Sequence, residues 1–349
     1  MNKFQIVEVT EQLNHAGTKA TSDMAIVAEK LGFKPVKVKM DSTKKTFFGK
    51  VIRQKGYFRD WRKAEKEVTE GSILLLQHPF HYPQLTREKT LRNIKNKNVK
   101  IISLVHDVEE LRAFRYNDYY KREFEFMLEI ADIIIVHNEV MKKWFMERGV
   151  EEKKLVTLGI FDYIQDEYKE KSIIFEKSIT VAGNLDIEKC GYIKELADLK
   201  GIKVHLYGPN FNEALKDSGD ITYHGSFPSS EIPKKLDRGF GLVWDGESIN
   251  GCKGASGQYL RYNNPHKLSL YISSGIPVII WKEAAEAGFV EENKVGITVQ
   301  NVKELEGIFD TLTAVEYETM VKNVRKIGKA LCKGEYGEEA LMESMGRIS

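Results

Sequence analysis

The feature that most limits the fold is an alternation of short apolar runs with amphipathic ones along the whole chain. Strand-like runs read at Ile6–Val9, Val36–Met40, Ile73–Gln77, Lys100–Val105 and Ile133–Val136. Helical spacing between them predicts helices at Asp23–Leu31 (closed by Gly32), Arg87–Lys95, Phe124–Ile130 and Val140–Arg148. A polar stretch, roughly Phe161 to Lys171, interrupts the pattern. It restarts with strands at Ser178–Ala182, Lys203–Leu206, Ile221–Tyr223, Gly241–Trp244, Val278–Trp281 and Gly296–Val299. Strands joined by helices pair in parallel, which predicts parallel sheets covered on both faces. A chain of 349 residues is too long for one core. We therefore expect an α/β protein of two doubly wound, Rossmann-like domains, 1–165 and 172–330, facing each other across a ligand cleft. The last helical run, within 335–349, is expected to return to the first domain.

One block carries the most chemistry: Tyr262-Asn263-Asn264-Pro265-His266-Lys267-Leu268, continuing through Gly275-Ile276-Pro277 to the apolar run Val278–Trp281. It reads as a loop, a short helix, a Gly-Pro turn and a buried strand. Asn264 is placed to accept from the first-turn amides, and Pro265 sits where a helix tolerates proline. The helix then opens with N–H groups, a positive dipole end and the heads of His266 and Lys267, which suits a phosphate.

Other loops are compatible with the same ligand class. Gly17, Thr18 and Lys19 sit in the first βα loop, where they serve a ligand or simply precede a helix capped by Thr21 or Ser22. Gly183-Asn184 follows the first strand of the second half, fit for close approach or for a tight turn. The Gly-x-Gly-x-x-Gly dinucleotide fingerprint is absent, and in Gly246–Cys252 a cysteine stands where a P-loop needs lysine. Segment Gly239–Tyr262 carries six glycines around Trp244-Asp245. Asp245 could hydrogen-bond sugar hydroxyls, and the later part reads as a segment that orders over a ligand or as a flexible surface loop.

His78, His106 and His137 each follow a first-domain strand and would line one sheet edge. Their spacing fits no helical metal motif, and no Asp-x-Asp is present to bridge a metal and a diphosphate, so no metal is expected. Asp107 is a candidate general base at a strand tip; the competing reading is that Asp107 or Glu109 caps the following helix. Lys44–Lys63 interleaves positive charge with Phe, Tyr and Trp. It suits an anionic membrane surface, an anionic acceptor, a partner subunit, or a solvated face over a core stripe. The aromatic run Phe114–Tyr120 offers an acceptor wall or an oligomer contact. A net charge of +2 implies no nucleic-acid partner. Three scattered cysteines, no signal-peptide pattern and no membrane-length apolar run point to a cytoplasmic protein, with peripheral association at the inner face of the membrane as its membrane option.

These residues resemble bacterial glycosyltransferases of the GT-B fold, in particular the galactofuranosyltransferase group and the related glucosyltransferases that extend glycans on serine-rich adhesins. The anchors are Ala16–Ala20 with Asp23, Val105-His106-Asp107-Val108, Gly239–Trp244, and above all Tyr259–Lys267 through Gly275-Ile276-Pro277-Val278. The resemblance implies metal-independent, cofactor-free transfer of a sugar, galactofuranose being the candidate, from a UDP-sugar to a lipid-linked or protein-linked glycan. It places Lys267 and the helix start at the diphosphate, with Gly17 and Lys19 closing on it. Gly183 and Asn184 would lie beside the donor, and Tyr207-Gly208 beside the uracil or ribose. Tyr262, Asn263, Asn264, His266 and Asp245 complete the implied donor set, His78 and His106 fall on the acceptor side, and Asp107 is the base if the enzyme inverts. The same architecture serves UDP-sugar epimerases, and a non-catalytic sugar-nucleotide-binding subunit is the third alternative. Homo-oligomerisation stays open.

Overall fold

The computed structural model describes residues 1–9, 19–113, 115–216 and 218–348. The chain divides into two compact units. One comprises Met1–Glu110, Arg115–Leu158 and Gly337–Ser349; the other comprises Leu111–Phe114 and Gly159–Tyr336.

The first unit holds a sheet of six parallel strands: β1 (Lys3–Val9), β2 (Lys34–Lys39), β3 (Ile73–His78), β4 (Lys100–Val105), β5 (Ile133–Val136) and β6 (Leu155–Thr157). Their order is β2-β1-β3-β4-β5-β6. The chain runs outward from β1 to β2, then crosses to place β3 on the other side of β1. The carboxyl ends of β1 and β3 are thus a topological switch point, where open α/β sheets bind ligands. Strands β3 to β5 are buried on both faces because helices cover both, which explains the nearly unbroken runs Ile73–Leu76 and Ile133–Val136. Trp61, Phe4, Ile6, Leu74 and Ile101 belong to one core cluster.

The second unit holds β7 (Ile174–Ala182), β8 (Lys203–Tyr207), β9 (Ile221–Tyr223), β10 (Arg238–Val243), β11 (Val278–Trp281) and β12 (Gly296–Val299). Their order is β12-β11-β10-β7-β8-β9, all parallel. This is the dinucleotide-binding strand order, with the switch point between β7 and β10. Trp244, Tyr192, Tyr271 and Phe240 are fully buried in its separate core.

The long helix Ala314–Lys333 opens with a capping box between Thr313 and Glu316 and stops at Gly334, whose φ of 85° is the left-handed cap glycine favours. The next helix, Glu335–Ile348, lies almost wholly in the first unit, where Arg347 donates to the carbonyl of Leu155 at 2.9 Å. That contact caps an acceptor of β6, a strand at the sheet's edge.

Three expectations change. The polar stretch from Phe161 is no free linker: Phe161, Asp162 and Tyr163 are buried, and Lys171 Nζ donates to the carbonyl of Pro233 at 2.5 Å. Gln165 and Lys171 donate to internal carbonyls, while Asp166, Glu167, Lys169 and Glu170 face solvent. The glycine-rich segment after Asp245 includes a short helix, Gly254–Tyr259. Gly257 there lets backbone pack on backbone, since a Cβ would fall 2.5 Å from the Cys252 carbonyl carbon. The basic aromatic stretch is mostly one 21-residue helix, Phe47–Glu67, capped by Thr46 accepting from the Gly49 amide. Among the described residues no helix is long and apolar enough to cross a membrane.

Candidate functional site

The switch point of the second unit is built from two glycine turns and one helix. β7 ends at Ala182 and turns at Gly183; β8 ends at Tyr207 and turns at Gly208. Their φ values are 149° and 142°, conformations that side chains other than glycine rarely take. The Gly183 amide donates to the Tyr207 carbonyl at 2.9 Å, and a Cβ on Gly208 would fall 1.7 Å from the Gly183 oxygen. The two turns are therefore locked against each other. Asn184 is exposed, and its side-chain oxygen accepts from Asn210 at 2.8 Å and from the Asp186 amide. The Tyr207 ring is buried and stacks on His224, centroids 4.5 Å apart.

Across the switch point, the helix His266–Ser273 directs Lys267 and Tyr271, one turn apart, toward the sheet. The Tyr271 hydroxyl accepts from the Ala182 amide at 2.9 Å, and its ring fills the space that Gly241 leaves empty. Lys267 Nζ donates to the Trp244 carbonyl at 2.9 Å and to Asp245 Oδ1 at 2.8 Å. Its Cε lies 3.7 Å from where a Gly183 Cβ would stand. One lysine thus joins the ends of β7 and β10. Burial works most strongly against its charge, yet the Asp245 carboxylate, together with Tyr192, Cys190 and Tyr271, more than offsets it and holds the ammonium well above its ordinary value. The cluster presents a permanent cation, a carboxylate and bare glycine backbone, chemistry that suits a polar anionic ligand.

The helix start differs from expectation. Pro265 is the cap residue, and no side chain caps the helix. Asn264 is buried and donates through Nδ2 to the Gly159 carbonyl at 2.8 Å, tying the loop to the start of the second unit instead. His266 contacts the Asp162 carbonyl at 3.3 Å and stacks on Tyr163 at 5.0 Å. Tyr262 and Asn263 are half-buried, and Asn263 Oδ1 has no hydrogen-bond partner among the described residues. Tyr192 is a member the sequence did not mark. Fully buried, with its hydroxyl unpartnered among the described residues, it lies within the electrostatic reach of Lys267. A lone tyrosine opening the four-residue helix Tyr192–Glu195 carries no signal that would separate it from core.

At the first unit's carboxyl edge, Glu8, Tyr57, Gln77, His78, His106 and Asp107 border a cavity of about 190 Å³. His106 Nε2 lies 2.6 Å from Gln77 Oε1, and Asp107 beside it is half-buried. His78 is buried, with Nδ1 3.1 Å from Glu123 Oε2, and Arg87 also faces that carboxylate. Burial opposes ionisation of Glu123, but the His78 ring, the Arg87 guanidinium and the Phe80 amide bring it down to about 2. His137 is buried with Nε2 3.1 Å from the Val105 carbonyl. Of the three strand-end histidines, His106 is the half-exposed one. Glu109 is buried and accepts from the Arg115 amide at 3.2 Å. Gly17 and Thr18 lie outside the described residues; Lys19 forms an ion pair with Asp23 one helical turn on. Among the described residues no three His, Cys, Asp or Glu side chains group to hold a metal ion.

Residues 3–160 match the model of the glucosyltransferase 3-like N-terminal domain, and residues 179–344 match that of the C-terminal domain. The chain is 34% identical over 249 residues to the beta-1,6-galactofuranosyltransferase WbbI of Escherichia coli, covering 70% of this chain and 71% of that one. The chain belongs to the glucosyltransferase 3-like family. Within that family it is 24% identical over 282 residues to glucosyltransferase 3 of Streptococcus gordonii, covering 80% and 81% of the two chains. Among solved structures it is similar to a glycosyltransferase from Rickettsia africae (TM-score 0.64, 14% identity, 100% and 99% covered). It is also similar to Anabaena HepE in complex with UDP and glucose (TM-score 0.61, 11% identity, 99% and 100% covered). These likenesses show the GT-B fold. This glucosyltransferase 3-like protein is a glycosyltransferase.

Proposed function

We propose that the enzyme moves a hexose from a UDP-sugar to a hydroxyl of a glycan acceptor, with the diphosphate held at Lys267 and the start of the helix His266–Ser273. The observation that carries this is Lys267 at the β7–β10 switch point, joined to Trp244 and Asp245 and set beside the bare backbone of Gly183. A diphosphate arriving there meets an ammonium and a helix dipole, so the charge that develops on departing UDP is stabilised without a metal ion. Gly183, Asn184, Tyr207, Gly208, Tyr262 and Asn263 surround the donor in this reading, and Asp245 exchanges part of its hold on Lys267 for the sugar or phosphate. UDP as the nucleotide is supported by the ligand named for HepE.

Galactofuranose is the favoured sugar, because the 34%-identical relative is a galactofuranosyltransferase; glucose is the second reading, from the glucosyltransferase 3 relatives. Asp107, on the cavity of the first unit, removes the proton of the acceptor hydroxyl. The acceptor oxygen then bonds to the anomeric carbon as the bond to UDP breaks, inverting the centre. The acceptor is a lipid-linked or protein-linked glycan, and the reaction takes place in the cytoplasm.

The test is a donor screen with UDP-galactofuranose, UDP-glucose and UDP-galactose, each with and without chelator, with the product's anomeric configuration read by NMR. Turnover of UDP-galactofuranose with chelator present, giving an inverted product, is the expected result. Use of UDP-glucose alone would overturn the sugar, and loss of activity on chelation would overturn the metal-free reading. If UDP leaves the melting temperature unchanged, the nucleotide assignment fails.

A further inference from the structure

The helix Phe47–Glu67 has two faces of opposite character. Successive residues of an α-helix turn by about 100°, so Gly56, Tyr57, Asp60, Trp61 and Ala64 form one stripe, and all are buried. The other half of the helix displays Phe47, Phe48, Val51, Ile52 and Phe58, all exposed, with Phe47 and Phe48 at 75% and 78%. Exposed Lys55, Arg59, Arg62, Lys63 and Lys66 share that half. Asp60, the only acidic residue between Phe47 and Ala64, is buried on the core side and accepts from the Lys39 amide at 2.9 Å. Leu85, 80% exposed, extends the patch: Gln54 accepts from its amide at 3.1 Å and donates to the Pro83 carbonyl at 2.7 Å. The loop is thereby clamped so that Leu85 and Phe58 border one surface depression.

A single exposed apolar residue needs no explanation, but a contiguous set ringed by positive charge does. Cores of protein interfaces are poor in lysine, and a second copy docking through this face would set two basic surfaces against each other. A bilayer with anionic headgroups satisfies both halves of the pattern. Phe47, Phe48 and Ile52 enter the boundary between headgroups and acyl chains, while the lysine and arginine stems lie along it with their charges on lipid phosphates. We propose that this helix face is a docking surface for an anionic lipid bilayer. The inference is independent of the donor assignment, because UDP-sugar hydrolysis is assayed without vesicles.

The test is flotation of the intact protein with vesicles of phosphatidylcholine alone and of phosphatidylcholine with phosphatidylglycerol, at low and high salt. The expected result is co-flotation with the anionic vesicles only, weakened by salt. Replacing Phe47 and Phe48 together by serine should abolish it. Replacing Lys55 and Arg62 together by glutamine should lower partitioning about thirtyfold, two surface charges' worth. Both variants should keep the wild-type melting temperature and vesicle-free donor hydrolysis. No flotation, or equal flotation with the neutral vesicles, would overturn the proposal. So would light scattering that shows a dimer dissociated by the serine substitutions.

Discussion

The Lys267 ammonium lies 2.8 Å from the Asp245 carboxylate, with both side chains mostly shielded. The pair stands where β7 and β10 end, so the charge proposed to meet the diphosphate is already partnered by the protein. Removing the lysine leaves Asp245 half-buried and unmatched, which costs about 2 kcal/mol of stability. We expect Lys267→Ala to lower kcat/KM by about a hundredfold or more and to erase the stabilisation by UDP. The double variant Lys267→Met, Asp245→Asn should regain the melting temperature but not the activity. If it regains both, Lys267 is structural only.

Two adjacent glycines should fail in different ways. Gly208→Ala forces a Cβ into the Gly183 carbonyl at a φ of 142°, and should cost about 3 kcal/mol or prevent folding. Gly183→Ala has space, its nearest neighbour being Lys267 Cε at 3.7 Å, but its φ of 149° is strained. It should cost about 1–2 kcal/mol and weaken donor binding more than stability. Thermal melts with and without UDP separate the two.

Asp107→Asn tests the proposed base. Loss of a general base costs about a hundredfold to ten-thousandfold in turnover, so kcat should fall by that much while UDP still raises the melting temperature. Unchanged turnover would reduce Asp107 to a strand-tip residue of the first unit.

The His137 ring is neutral in the fold, because burial pushes its pKa down from 6.5 to about 4. Between those values the unfolded chain binds a proton there and the folded chain does not, so stability falls as pH drops from about 6.5 to about 4. The shift corresponds to about 3 kcal/mol. His137→Gln should flatten that part of the stability–pH curve in denaturant titrations. A curve of unchanged slope would show that His137 is protonated within the fold.

Much of this molecule is legible in its sequence because β/α alternation writes itself as two periodicities at once. The doubly wound sheets and the block from Tyr262 to Trp281 follow from spacing and from where glycine and proline stand. β6 escapes because Leu155-Val156-Thr157 is three residues long, too short for a period to show. The helix Phe47–Glu67 escapes for a different reason. Its exposed face mixes Phe47, Phe48, Val51, Ile52 and Phe58 with the charges and its buried face includes Asp60, so the contrast that marks an amphipathic helix is weak. Asn264 stands one position before the capping residue Pro265, and its partner, the Gly159 carbonyl, is 105 residues away. Tyr192 gains its place beside Lys267 only from the crossing that sets β10 next to β7. Such neighbours are products of strand order, which no local window contains.

Apart from the short excursion at Leu111–Phe114, the chain leaves the first unit after Leu158 and re-enters it at Gly337. Most of the second unit is therefore an insertion between two segments of the first. On the ribosome this reverses the usual sequence of events. The second unit can close as soon as Tyr336 has emerged, while the first, begun earlier, still waits for the helix Glu335–Ile348. A nascent chain with only Tyr336 and the residues before it outside the ribosome would carry a finished second unit hanging from an incomplete first one. The edge of β6 would still lack the arginine that seals it.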